Sequence, residues 1–129
     1  KGFIVNMSSS AALGAHAWTL AYSASKGALL SMTKCIAVEF MLEGLNCNAI
    51  CPGAVSGDRM DRVLAAEATA RGITASDVYK EYASGSSLRR FAEPEEIAGL
   101  CTYLSSDAAK FVSGQAIAVD GNTETYHSV

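Results

Sequence analysis

Charge of one sign, long apolar runs and metal-ligand spacings are what this sequence lacks. Of its 129 residues 10 are Lys or Arg and 13 are Asp or Glu, for a formal net charge of −3. The basic residues are scattered, with Arg89-Arg90 the only close pair, so no electrostatic footprint for nucleic acid is present. No apolar run approaches the roughly 20 residues of a membrane-spanning helix. No basic start followed by an apolar stretch marks a secretory signal. The four cysteines, Cys35, Cys47, Cys51 and Cys101, lack zinc or disulfide-framework spacing. Reduced core cysteines in a cytoplasmic protein are the expectation. His16 and His127 stand far apart, with no Cys or carboxylate arrangement for a metal, and are expected to be solvated or in loops.

What is present is core material. Half of the residues are hydrophobic and 18% are charged, which excludes disorder, and the length suits one domain. The sequence starts at Lys1 without a Met and enters a strand-like stretch at once, as expected of a piece of a longer protein or a trimmed chain.

Gly2-Phe3-Ile4-Val5-Asn6-Met7 reads as a short buried strand ending in a serine cluster. A small-residue loop follows, Ser8 to Trp18, around Gly14. From Leu20 to Glu43 the pattern is helical, with Gly27 the only internal glycine and Gly44 the expected stop. This helix is apolar nearly all round, which predicts cover on two sides: a sheet on one, and on the other a partner such as a second subunit. Leu45 to Ile50 reads as a second buried strand closed by Pro52-Gly53. Residues 56–90 form a more polar insertion, with weaker helical signals at Asp61 to Ala70 and Ser76 to Ala83. Glu93-Pro94-Glu95-Glu96 opens a helix that runs to Leu104, with proline and carboxylates where a helix start favours them. Gln115 to Val119 is a last strand ended by Asp120-Gly121, and the polar tail from Asn122 is expected to be loose. Helical crossovers between short apolar strands imply an α/β fold with a parallel sheet. Ligands in such sheets sit beyond the carboxyl ends of the strands, where Ser8-Ser9 and Pro52-Gly53 both fall.

Tyr22 and Lys26 are four apart, on one face of the long helix. A free phenol titrates near pH 10 and is a poor base at neutral pH. A nearby ammonium favours the phenolate, which makes the pair a general acid/base for a hydroxyl or carbonyl. For the bare pair, a solvated helix face is the stronger reading. Its setting, Tyr22-Ser23-Ala24-Ser25-Lys26-Gly27-Ala28, is small enough to admit another body closely. Ser9, at a strand end, can hydrogen-bond a substrate oxygen or act as a turn or cap serine.

Asn6-Met7-Ser8-Ser9, Tyr22-Ser23-Ala24-Ser25-Lys26 and Asn48-Ala49-Ile50-Cys51-Pro52-Gly53 together resemble the second half of a classical short-chain dehydrogenase/reductase. So do Arg90-Phe91-Ala92-Glu93-Pro94-Glu95-Glu96-Ile97-Ala98, Gly114-Gln115 and Val119-Asp120-Gly121. The match covers nearly the whole chain, in family order and spacing. It implies the C-terminal part of a doubly wound parallel sheet (a Rossmann fold) spanning 1–129, with residues 56–90 as a substrate lid. It implies a hydride transfer between NAD or NADP and a small-molecule alcohol or carbonyl substrate. Tyr22 resembles the catalytic acid/base, Lys26 the residue that binds the nicotinamide ribose, and Ser9 the serine that orients the substrate oxygen. Pro52 and Gly53 resemble the turn beside the nicotinamide, and Val55 the residue whose backbone meets the carboxamide. A homodimer or homotetramer is implied for the complete protein.

The sequence departs from the family in three ways. The glycine-rich phosphate loop, the residues that choose between NAD and NADP, the Asn-Ala-Gly segment and the helix asparagine have no counterpart in these residues. Gly57 stands where the family often has a threonine that contacts the carboxamide, with Ser56 as a neighbouring substitute. Asn46 and Cys47 replace a basic and an aliphatic residue, which reads as packing and surface variation. The Asp58, Arg59, Asp61, Arg62 run reads as a solvated helix start rather than a substrate clamp, although it lies in the lid region. Arg89 and Arg90 read as surface residues. His16 and Trp18 lie where they can contact a substrate. The rival reading is a non-catalytic or incomplete dinucleotide-fold chain that serves assembly only; the presence of Ser9, Tyr22 and Lys26 together favours the enzyme.

Overall fold

The structure, a computed structural model, describes residues 2–14 and 16–123. The end of the tail, with His127, lies outside the described residues. Three strands form one parallel sheet in the order β1 (Gly2–Met7), β2 (Leu45–Pro52), β3 (Ala116–Val119). Gly2 pairs with Leu45 and Met7 with Ile50; on the other edge of β2, Ala49 pairs with Ala116 and Pro52 with Val119. Helix α1 (Leu20–Glu39) joins β1 to β2. Helices α2 (Asp58–Arg71), α3 (Ala75–Ser84) and α4 (Pro94–Leu104) lie between β2 and β3.

The central strand is buried on both faces, as a parallel sheet requires; Cys47, Ala49, Ile50 and Cys51 are fully buried. Successive side chains of a strand point to opposite faces, and here the two faces differ in kind. On the α1 side stand the small residues Cys47, Ala49 and Cys51, which let the helix approach. On that side Asn6 donates to Thr33 Oγ1 of α1 at 2.9 Å and to Cys47 Sγ at 3.7 Å. On the α4 side Ile50 packs with Ile97, Leu104 and Ala109, backed by Val5, Ile117 and Val119. Asn48 is buried there, and its amide is satisfied: Nδ2 donates to Val112 O at 2.8 Å and Oδ1 accepts from Gln115 N at 3.0 Å. Asn46 is more than surface variation, since its Nδ2 donates to Lys110 O at 3.1 Å and holds the turn that leads to β3.

Two expectations shift. The long helix ends at Glu39, four residues early, and a short 3-10 turn at Met41–Glu43 follows. Gly44, with φ 70°, closes that turn rather than the α-helix, because the chain must reverse there to enter β2. Cys35 is exposed on α1, so it is not one of the core cysteines. Apolar side chains of α1 are left exposed, as the all-round apolar pattern predicts: Met32 and Val38 on the helix, and Phe40, Met41 and Leu42 just beyond it.

Helices α2 and α3 form a hairpin with its own core of Leu64, Ala68, Val78, Ala83 and Phe91. Thr74 and Asp77 make a reciprocal cap at the start of α3. Arg71 joins the two helices, donating to Glu67 at 2.8 Å and to both carboxylate oxygens of Glu81 at 2.8 and 2.9 Å. Both helices run further than their sequence signals, because this packing and capping extends them.

Candidate functional site

The carboxyl ends of β1 and β2 open onto a cavity of about 400 Å³ that Ser8, Ser9, Tyr22, Pro52, Gly53 and Val55 all help to line. Five of the six residues singled out by the sequence thus meet at one place. The sixth, Lys26, does not line it but adjoins Tyr22. Its Nζ donates to Met7 O at 2.9 Å and lies 5.8 Å from the centre of the Tyr22 ring. Ser8 Oγ donates to Lys26 O at 2.8 Å and fastens this turn of α1 to the end of β1. The sequence did not single out Ser8 or the Met7 carbonyl; a strand-end serine next to the chosen one was the only available signal.

Ser9 is the cap of a 3-10 turn at Ser10–Ala12, its Oγ accepting from Ala11 N at 3.2 Å. That bond uses a lone pair and leaves the hydroxyl proton without a partner among the described residues. The cap reading of Ser9 holds, and its hydroxyl proton is left available to donate. Val55 forms an isolated parallel bridge with Ala92. The bonds of that bridge run from Ala92 N to Ala54 O and from Ser56 N to Ala92 O, each 2.9 Å. The N–H and C=O of Val55 itself have no partner among the described residues, and they form a donor–acceptor pair beside the cavity.

Gly57 has φ +134°, a conformation glycine tolerates and a threonine resists. Ser56 does not stand in for the missing threonine, because its Oγ donates to Glu93 Oε2 at 2.5 Å and leans on Ala92 O. Asp58 and Arg59 open α2, as the solvated-start reading expects, yet both also line the cavity.

A second cavity, of about 580 Å³, adjoins the first and shares Tyr22, Gly53, Arg59 and Met60 with it. Its further walls come from His16, the α3 residue Tyr82, Arg90, Phe91 and Asp120. Tyr82 was invisible to a linear reading, since 60 residues separate it from Tyr22. Its phenol is committed: Oη donates to Glu67 Oε2 at 2.5 Å, and that bond to a carboxylate raises its pKa above the usual tyrosine value. Among the described residues Tyr22 has no such carboxylate partner. Trp18 lines neither cavity and is fully exposed. Arg90 is tied to the start of α4, donating to both oxygens of Glu96 at 2.6 and 2.7 Å. No cluster of three or more His, Cys, Asp or Glu able to hold a metal occurs among the described residues. No helix among them is long and apolar enough to cross a membrane.

A family model described as enoyl-(acyl carrier protein) reductase matches residues 1–122. The chain belongs to the short-chain dehydrogenase/reductase family. It is 40% identical over 121 residues to 2-(S)-hydroxypropyl-CoM dehydrogenase 3 of Xanthobacter autotrophicus, covering 94% of this chain and 46% of that protein. The crystal structure of a short chain dehydrogenase family protein from Francisella tularensis superposes with a TM-score of 0.93 at 33% identity, covering 96% of this chain and 51% of that one. Two further solved structures carry a nicotinamide cofactor. Actinorhodin polyketide ketoreductase with NADPH is 27% identical at TM-score 0.89, over 98% of this chain and 48% of its own. 4-hydroxyisoleucine dehydrogenase with NADH is 30% identical at TM-score 0.76, over the same shares. The chain spans about half the length of the curated relatives it matches. The α/β fold with its parallel sheet is thus that of the Rossmann-type dehydrogenases and reductases of this family.

Proposed function

We propose that the whole protein is an NAD- or NADP-dependent oxidoreductase that interconverts a small-molecule alcohol and its carbonyl compound. Residues 1–129 would form the C-terminal catalytic part of one domain, with residues 56–90 as its substrate lid. The observation that carries this reading is the convergence of Ser9 and Tyr22 on one cavity at the strand ends, with the Lys26 ammonium beside the Tyr22 ring. The rival reading, a non-catalytic assembly chain, gives no reason for that convergence. The family's solved members with bound NADPH and NADH support the choice of cofactor.

The residues present fit a nicotinamide. The unpaired N–H and C=O of Val55 complement a carboxamide, which both accepts and donates, and Pro52 and Gly53 floor the same cavity. When bound, the cofactor accepts or supplies hydride at its ring. The chain's own residues handle the oxygen. Ser9 donates its free hydroxyl proton to the substrate oxygen and holds it in place. Tyr22 takes the proton from an alcohol, or returns it to a carbonyl, as general base or acid. Lys26 places a positive charge behind the ring and has donors left for a ribose hydroxyl. Its bond to Met7 O sets its position. We further propose that the protein works as a homodimer or homotetramer in the cytoplasm, where its four cysteines stay in the free form seen here.

The test is kinetic, on the full-length protein. Tyr22→Phe is expected to abolish turnover while largely sparing cofactor binding. Lys26→Ala is expected to lower both turnover and cofactor affinity. General acid–base groups contribute about 10²–10⁴-fold, so a Tyr22→Phe protein within about tenfold of full activity refutes the assignment.

A further inference from the structure

We propose that Arg59 selects substrates that carry an oxyanion, such as a carboxylate, in addition to the reacting hydroxyl or carbonyl. This rests on the oxidoreductase reading and narrows its substrate class. Arg59 lines both cavities, and so does Tyr22. A molecule that places its reacting oxygen at Tyr22 in either cavity therefore shares that cavity with Arg59.

The charges around the larger cavity leave Arg59 as the uncommitted cation. Arg90 is engaged by both oxygens of Glu96. Glu81 is engaged on both oxygens by Arg71. Asp120 accepts from Asn122 N at 2.9 Å through Oδ1, while its Oδ2 is buried without a hydrogen-bond partner among the described residues. Arg59 has no ion pair among the described residues. Two other residues bear on it: His16 lines the same larger cavity and carries an imidazole that can donate a hydrogen bond, while Asp58 lines only the smaller one.

Helix stability does not account for Arg59. It occupies the first turn of α2, where the helix dipole disfavours a cation. Asp58 and Asp61 in that same turn are the residues the dipole favours. The guanidinium presents a planar set of donors that matches the two oxygens of a carboxylate. Ala11, Ala54, Met60 and Phe91 supply apolar wall for the carbon skeleton between the two polar ends.

The experiment compares keto acids of increasing length (pyruvate, acetoacetate, levulinate) with their methyl esters, on the full-length protein with NADH and NADPH. The quantity read is the acid-to-ester ratio of kcat/KM. The expected result is a ratio of at least about tenfold for one chain length, falling toward one in Arg59→Ala through KM of the acid, and intermediate in Arg59→Lys. A ratio near one in the unaltered protein, or a ratio that survives Arg59→Ala, overturns the proposal and leaves the oxidoreductase reading standing. Turnover of no acid or ester with either cofactor counts against both.

Discussion

At Gly53 there is no room for a side chain. A Cβ there would lie 2.9 Å from Asp120 Cα and 3.0 Å from Asp120 Cβ, so the backbone at the end of β3 would have to move. The same glycine lines both cavities. Gly53→Ala is therefore expected to cost about 1–3 kcal/mol, the usual scale of overpacking, and to lower the melting temperature measured by calorimetry. An unchanged melting temperature would show that the two turns part easily. Tyr22 and Tyr82 make the complementary point. Both reach the larger cavity, but the Tyr82 hydroxyl is held in a hydrogen bond to the Glu67 carboxylate, whereas Tyr22 has the Lys26 ammonium beside its ring. A tyrosine's partner, more than its presence, decides which chemistry it can do.

The start of α4 shows how one short element is fastened. Pro94 occupies the first turn, Glu96 accepts from Glu93 N at 2.8 Å, and Arg90 grips the Glu96 carboxylate. The Arg90 hydrogen bonds, with help from that backbone N–H, hold the Glu96 carboxyl down at about 2, below its ordinary value of 4.5. A lowered folded-state pKa means that the folded form favours the charged carboxylate. The resulting stabilisation is fully present above pH 4.5 and is lost as pH falls toward 2. Because the pair is solvent-exposed, the effect is modest. Glu96→Gln is expected to flatten the denaturation midpoint against pH in this window alone. The same slope in the variant would assign acid sensitivity to other carboxylates, such as Glu67, which Tyr82 and Arg71 also hold low.

On the scale of the molecule, two surfaces are left without cover. Among the described residues β1 pairs only with β2, so its other edge is open. Helix α1 and the turn after it expose Met32, Val38, Phe40, Met41 and Leu42. We expect light scattering on the full-length protein to show a dimer or tetramer; a clean monomer would remove the oligomer proposal. We also expect calorimetry on the 129-residue chain alone to show weak or no binding of NADH and NADPH. On the proposed reading the described residues serve the nicotinamide end of a dinucleotide alone, and they include no glycine-rich phosphate loop. Tight binding by this chain would overturn that expectation.

Much of the architecture was legible in the linear chain, for local reasons. β1, the start and end of α4 and the body of β2 announce themselves through β-branched apolar runs, a first-turn proline and strand-end glycines, because backbone geometry and periodicity act between near neighbours. The Tyr22–Lys26 spacing is of the same kind, since four residues on a helix always share a face. What the sequence by itself determined was thus the order of elements, their parallel arrangement and a set of residues equipped for acid–base chemistry. Only the tertiary structure decided which of them work together. It showed Lys26 anchored on Met7, Tyr82 held by Glu67, Gly57 set in a conformation that suits glycine, and Arg59 between two cavities without a counter-ion among the described residues. Those outcomes depend on side chains dozens of residues apart arriving within hydrogen-bonding reach, and the packing of α2 and α3 beyond the sheet brings that about.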